Sequence, residues 1–285
     1  MKIIEWVNEY DPKNSIDVEN ALREIMQEVA LAGLERSGFF TKAAFYGGTA
    51  LRIFHGLNRF SEDLDFSLLE PDSAFDIMSY LQPVITEFAA MGMEVSVSQK
   101  KKSAITSINS AFLKPDTLWS ELELEKLVPQ SGLSRPPAIK IKIEVDKEPP
   151  PGFQTEELLL LKPFSFYVKC FTLPDLLAGK MHALLFRKWK QRVKGRDWYD
   201  MEWYIRKGVG LNLDHFHQRA INNNDLENKK LTEKQFRKLL DERIDAVSIN
   251  AIKEDIIRFI PHPEQLDIWS REYFHDLVKK IKIAV

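Results

Sequence analysis

The sequence predicts an α+β protein, with a mixed α/β half over roughly 1–172 followed by a helical half over roughly 173–285. Short apolar runs bounded by glycine, proline and charged clusters crowd the first half. One of them, 138–146 (AIKIKIEVD), alternates strictly, with apolar residues at 139, 141, 143 and 145. From Pro174 onward, apolar residues recur at helical spacing instead.

Taken in order, residues 17–37 read as an amphipathic helix on Val18, Leu22, Ile25, Val29 and Ala32. The run Ala43 to Tyr46 ends at a Gly pair, so strand, tight turn and helix are expected there, the helix carrying Leu51 and Phe54. Residues 63–68 alternate as a half-buried strand does, and Pro71-Asp72-Ser73 is expected to open a helix reaching about Met91. Two strands are expected within 93–113, flanking QKKKS, and a further one over 118–127. The PPPG run at 149–152 closes the strand of 138–146, and one more strand is expected at 163–172. Helices follow near 174–190, 196–207, 232–245, 248–259 and 270–282, with a polar loop at 221–230. There is no internal repeat and no low-complexity tract.

Composition bounds the function classes. The chain has 285 residues, 44% apolar and 29% charged, with net charge −2, so it is no general nucleic-acid glue and any anionic polymer must meet a local patch. A single cysteine, Cys170, excludes an internal disulfide and a multi-cysteine zinc site; its apolar surroundings, FYVKCFTL, predict a buried strand residue. No signal peptide is visible, and no apolar stretch approaches the roughly 20 residues of a membrane helix. A soluble, cytoplasmic protein is expected.

The chemistry concentrates between Gly47 and Phe66 (GGTALRIFHGLNRFSEDLDF). Asp63 and Asp65 lie one residue apart on an expected strand, so their carboxylates share a face and can grip the same divalent ions. Before them, Gly47-Gly48-Thr49 stands where a strand turns into a helix. Small residues there let backbone N–H groups approach phosphate oxygens, and the helix N-terminus favours negative charge. A third acid from a neighbouring strand would complete a two-metal site; Glu144 and Asp146 are both candidates. Each feature also has an ordinary structural explanation. A Gly pair after a strand is often only a turn. Glu144 and Asp146 beside Lys140 and Lys142 could be a surface charge ladder, contributing under ~1 kcal/mol per pair.

Gly47-Gly48-Thr49-Ala50-Leu51-Arg52 followed by Arg59-Phe60-Ser61-Glu62-Asp63-Leu64-Asp65-Phe66 resembles the first motif of the AbiEii/AbiGii toxin family, nucleotidyltransferases of the DNA polymerase β superfamily. Lys142-Ile143-Glu144-Val145 resembles the second motif. Phe171, Asp175, Lys180 and Ala183 resemble the third, except that the family usually has Glu where Asp175 stands. Arg196-Asp197-Trp198-Tyr199-Asp200 resembles the fourth. The likeness covers roughly 45–205.

The resemblance implies a polymerase-β-like mixed sheet with flanking helices, and an active site drawing on both halves of the chain. Asp63 and Asp65 would hold magnesium, with Glu144 or Asp146 as third ligand or support. Gly47, Gly48 and Thr49, with Ser61 nearby, would contact the triphosphate of an NTP, and Lys180 would reach its phosphates as a point charge. Asp197 would be the catalytic base or an orienting acid, although an acid in a first helical turn is commonly a dipole partner. Asp200 lies one turn on, as a further catalytic candidate. The neighbours Leu176, Leu177, Met181 and Leu184 are core, and His182 is structural.

The segment 187–196 (RKWKQRVKGR) carries Arg187, Lys188, Lys190, Arg192, Lys194 and Arg196 around a Trp. Such charge beside an aromatic suits an RNA backbone, and Lys100, Lys101 and Lys102 offer a second patch. The expected activity is therefore magnesium-dependent transfer of NMP from an NTP to RNA, with the 3′ end of tRNA the acceptor the resemblance suggests. The same resemblance implies a toxin relieved by an antitoxin protein, in a toxin–antitoxin or phage-abortive system. Two alternatives stand beside it: a non-catalytic nucleotide- or partner-binding module, and a phosphotransferase acting on a small-molecule or protein hydroxyl.

Overall fold

The computed structural model describes residues 3–99, 117–127, 139–187 and 193–284. The chain divides into two compact units: Met1–His55, Phe60–Pro149 and Glu156–Cys170 form the first, and Gly56–Arg59, Pro150–Thr155 and Phe171–Val285 the second.

The first unit opens with helices α1 (Ile3–Asn8) and α2 (Ser15–Arg36). Asn14 caps α2 by accepting from the backbone N–H groups of Ile16 at 2.9 Å and Asp17 at 3.0 Å. An amphipathic α2 would leave Glu24, Gln27 and Glu28 in solvent, but all three are buried along with its apolar stripe. The helix is enclosed because α1, α4 (Leu81–Ala90) and strand β5 (Lys140–Asp146) all pack on it.

Strand β1 (Ala43–Tyr46) runs straight into α3 (Gly47–His55), and β2 (Leu64–Leu68) follows. The helix expected from Pro71 begins later. Asp72 and Asp76 accept from the backbone of Ala74 and Met78, and these local turns compete with helix until a 3-10 turn at Ile77–Tyr80 leads into α4. Strands β3 (Met93–Gln99), β4 (Thr117–Leu127), β5, β6 (Thr155–Leu160) and β7 (Phe166–Phe171) complete the sheet. Sequence reading misses β6, whose TEELLL does not alternate. It is an exposed edge strand, so no buried face imposes a period of two. The second strand expected within 93–113 lies outside the described residues from position 100 on, as do Lys100, Lys101 and Lys102.

The sheet is mixed, in the order β3-β4-β5-β2-β1-β7-β6. Strand β2 pairs antiparallel with β1 and parallel with β5, while β1 pairs parallel with β7. Its core is aromatic, with Phe39 and Phe45 packed on Phe66 at centroid distances of 4.9 and 5.1 Å. Cys170 is fully buried on β7, as its surroundings predict, and burial pushes its thiol pKa up, which leaves it unreactive.

The second unit holds α5 (Leu173–Phe186), α6 (Gly195–Lys207), α7 (Leu213–Asn222), α8 (Glu233–Ala246), α9 (Ile249–Ile256) and α10 (Arg271–Lys280). Sequence reading misses α7. Its Asn212 cap, accepting from His215 N–H at 3.0 Å, was the available signal. Two short strands, β8 (Gly210–Leu211) and β9 (Lys282–Ile283), pair in parallel and tie the C-terminal segment to the end of α6. Glu202 fastens α10 to α6, accepting from Trp269 Nε1 at 2.6 Å and Tyr273 OH at 2.8 Å. Among the described residues, no helix is long and apolar enough to cross a membrane.

Candidate active site

In the first unit, β1 and α3 meet without a loop, and Gly47 makes the joint at φ +86°. Only glycine suits it on two counts: the left-handed backbone, and a Cβ there would collide with Asp65 Oδ2. The first turn of α3, with its outward N–H groups, is thereby held against the Asp65 carboxylate. Thr49 is fully buried, and its hydroxyl donates to the Asp63 carbonyl. The Thr49 side chain thus braces the segment carrying the acids. Ser61 is half-buried, and its carbonyl accepts from Gln27 Nε2 at 3.0 Å, anchoring the segment before the acids to α2.

Asp63 stands immediately before β2 and Asp65 within it, both half-buried. Strand register separates the candidates for the third acid. Asp65 pairs with Glu144 across the parallel β2–β5 ladder, so the two side chains share a face at the same level. Asp146 pairs with Ser67 one step further along, is 6% exposed, and accepts from Glu148 N–H at 3.1 Å. Glu144 in turn is ion-paired with Lys142. Among the described residues, no three His, Cys, Asp or Glu side chains converge as a metal cluster. The Asp63–Asp65 pair nonetheless suits magnesium, a hard cation that commonly takes one or two carboxylates and completes its shell with water and substrate phosphates.

The second unit gathers its charges in a buried knot. Asp200, fully buried, accepts from Arg59 Nε and Nη2, each at 2.7 Å, and lies 2.7 Å from Lys180 Nζ. Arg59 itself is only 2% exposed. Lys180 Nζ also lies 3.5 Å from Asp197, which Arg187 reaches at 3.2 Å. Burial alone would raise the Asp200 carboxyl, but Arg59 and Lys180 overcome it and hold the group down to about 2. Asp197 behaves likewise: Arg187, Lys180 and Lys194 outweigh burial and hold it below the usual carboxylate range.

Three of the expected site residues are ion-paired here. Asp200, expected among the catalytic acids, has both oxygens engaged by Arg59 and Lys180. The Lys180 ammonium, expected at the phosphates, bridges Asp197 and Asp200. Arg187, expected in an RNA-facing patch, pairs with Asp197. Lys194 precedes α6, and desolvation lowers its ammonium to about 8. Lys188, Lys190 and Arg192 lie outside the described residues. The start of α6 depends on Gly195, where a Cβ would strike the Ile252 carbonyl of α9.

The model of the nucleotidyl transferase AbiEii toxin, type IV toxin–antitoxin system, matches residues 29–277. The chain belongs to this family. It is accordingly a nucleotidyltransferase of a toxin family, and its mixed sheet and helical half are that fold. No curated protein matches the chain in sequence. Among solved structures, it is similar to a candidate nucleotidyltransferase from Helicobacter pylori at 16% identity and TM-score 0.48, covering 88% of this chain and 91% of that one. It is also similar to JHP933 from Helicobacter pylori, at 15% identity and TM-score 0.46, covering 88% of each chain. Likenesses at this level add nothing to the assignment.

Two residues of this chain gain a place that sequence reading did not assign. Arg59, a letter of the first motif, is the buried partner of Asp200, and Asp175, a letter of the third, is a packing anchor. Asp175, 2% exposed, accepts from Thr172 Oγ1 at 2.6 Å, Asn212 Nδ2 at 2.7 Å and the Gln154 N–H at 2.9 Å. It fastens the start of α5 to the cap of α7. Asp175 is thus engaged through both carboxylate oxygens by three donors.

Proposed function

We propose that the chain transfers a nucleoside monophosphate from an NTP to an RNA hydroxyl, with Asp63 and Asp65 holding magnesium and Glu144 supporting them. The observation that carries this reading is the contact of Asp65 with the Gly47 joint, which sets a carboxylate beside the N-terminus of α3. Magnesium there would neutralise phosphate charge and align the triphosphate. The N–H groups of Gly47, Gly48 and Thr49 would hold phosphate oxygens. The acceptor oxygen bonds to the α-phosphorus, the bond to the bridging oxygen breaks, pyrophosphate leaves, and the hydroxyl proton is released.

The reading assigns Lys180 to the phosphates, since an ammonium has three donors and two carboxylates already orient this one. Asp197 fits an orienting role better than that of a base. A carboxylate held down by Arg187, Lys180 and Lys194 accepts a proton poorly. Lys194, with the basic segment before it, is the proposed contact with the acceptor RNA, and the 3′ end of tRNA is the proposed acceptor. An antitoxin protein that opposes this activity is the partner implied by the family's type IV toxin–antitoxin description.

The test incubates the chain with labelled NTPs, total RNA and total protein. Label is expected in RNA only, and Asp63→Ala with Asp65→Ala should abolish it while the circular dichroism spectrum is unchanged. Persisting transfer would remove the metal assignment; label in protein or a small molecule would instead favour a different phosphotransferase. Magnesium- and NTP-dependent thermal stabilisation without any label transfer would favour a binding module.

A further inference from the structure

A feature of the first unit involves none of the residues assigned above to nucleotidyl transfer. Helix α1, helix α2 and the end of β6 border a cavity of about 380 Å³, whose lining includes Trp6, Glu9, Tyr10, Glu28, Leu160 and Lys162. Glu28 is 8% exposed and forms no hydrogen bond or ion pair among the described residues. The neighbouring acids are engaged. Glu24 accepts from Arg52 Nε at 2.8 Å and Tyr10 OH at 3.4 Å. Glu9 is ion-paired with Lys162 at the mouth, where the ammonium also lies 5.5 Å from the Trp6 ring.

We propose that this cavity binds an organic cation, an ammonium or guanidinium on an aliphatic stem, with Glu28 as its carboxylate and Trp6 and Tyr10 as its aromatic wall. A buried carboxyl without a partner is costly to maintain, and a site that offers it a cation removes that cost. Aromatic faces attract cations and exclude water, and Leu160 supplies a surface for the stem. The volume admits a chain of several carbons and a charged head.

The protonation of Glu28 agrees. Burial first, then Glu24 and Glu9, raise its carboxyl to about 8, with Lys162 and Arg52 pulling the other way. Near neutral pH the empty site therefore holds a proton, which an arriving cation displaces. The cation could come from a free amine or from a lysine or arginine of a protein strand. Strand β6 is a sheet edge, and Leu159 and Leu161 beside the cavity are 49% and 64% exposed.

Isothermal titration of the full chain with agmatine, and separately with a blocked strand peptide carrying one arginine, tests this. Binding is expected in at least one arm, with close to one proton released at pH 7 and a loss of about 10-fold or more in Glu28→Gln. Tighter binding of the peptide identifies a side chain as the source, and tighter binding of agmatine a free amine. Lys162→Met, at a residue whose side chain is 34% exposed, should tighten binding by removing a rival cation. No binding in either arm overturns the proposal, as does equal affinity in folded Glu28→Gln. Weaker binding in Lys162→Met would show that the added cation does not answer to the cavity's negative charge and would equally overturn it. None of these outcomes depends on label transfer from NTP.

Discussion

Asp200 in the second unit and Glu28 in the first are both buried carboxylates, 0% and 8% exposed, yet their chemistry is opposite. Asp200 meets Arg59 and Lys180 and is held down to about 2, whereas Glu28, raised first by burial and then by Glu24 and Glu9 against Lys162 and Arg52, stands at about 8. Burial pushes both upward; the neighbours decide. A carboxylate saturated by cations is scaffold, because exchanging any ligand would strand a charge. A carboxyl left with a proton and a cavity can still accept something.

The largest effect should come from breaking the saturated side. Asp200→Asn leaves the Arg59 guanidinium buried without its counter-ion, and chemical denaturation should report a loss of about 3–5 kcal/mol. A loss below about 1 kcal/mol would mean that Arg59 finds water instead.

The second contrast is in the pH dependence. Glu28 titrates near 8 when folded and near its ordinary 4.5 when unfolded, so between those values the native state binds the extra proton. Stability should therefore fall as pH rises through that window, by up to about 5 kcal/mol. Glu28→Gln should flatten the slope and exceed the parent in stability above pH 8. An unchanged slope in the variant would assign the titration to another group.

Smaller still is the acid limb belonging to Asp200. Its folded pKa lies below the ordinary 3.8, so its contribution is full above that value and lost as pH falls toward about 2. Urea titrations across this range should show roughly 2 kcal/mol lost in the parent and little in Asp200→Asn. If both lose the same amount, other acids carry the acid denaturation.

Legibility followed the range of the interaction. The strict alternation of 139–146 placed a strand where β5 lies, and the run into Gly47 placed β1 and the start of α3, because backbone period and glycine freedom act over a few residues. The spacing of Asp63 and Asp65 likewise implied a shared face. Strand β6 and helix α7 were not legible: one is an exposed edge without alternation, the other a short polar helix marked mainly by its Asn212 cap.

From the sequence alone came the mixed α/β half, the helical half, the acids beside a glycine turn, and the likeness that the family match confirms. Tertiary structure alone decided that Glu144, not Asp146, stands beside Asp65, since strand register depends on how whole strands pack. It alone joined Arg59 to Asp200 across 141 positions, and it alone enclosed Glu28 on a helix whose pattern promised it to solvent. Periodicity states which residues share a face; only the packing of distant segments states what that face meets.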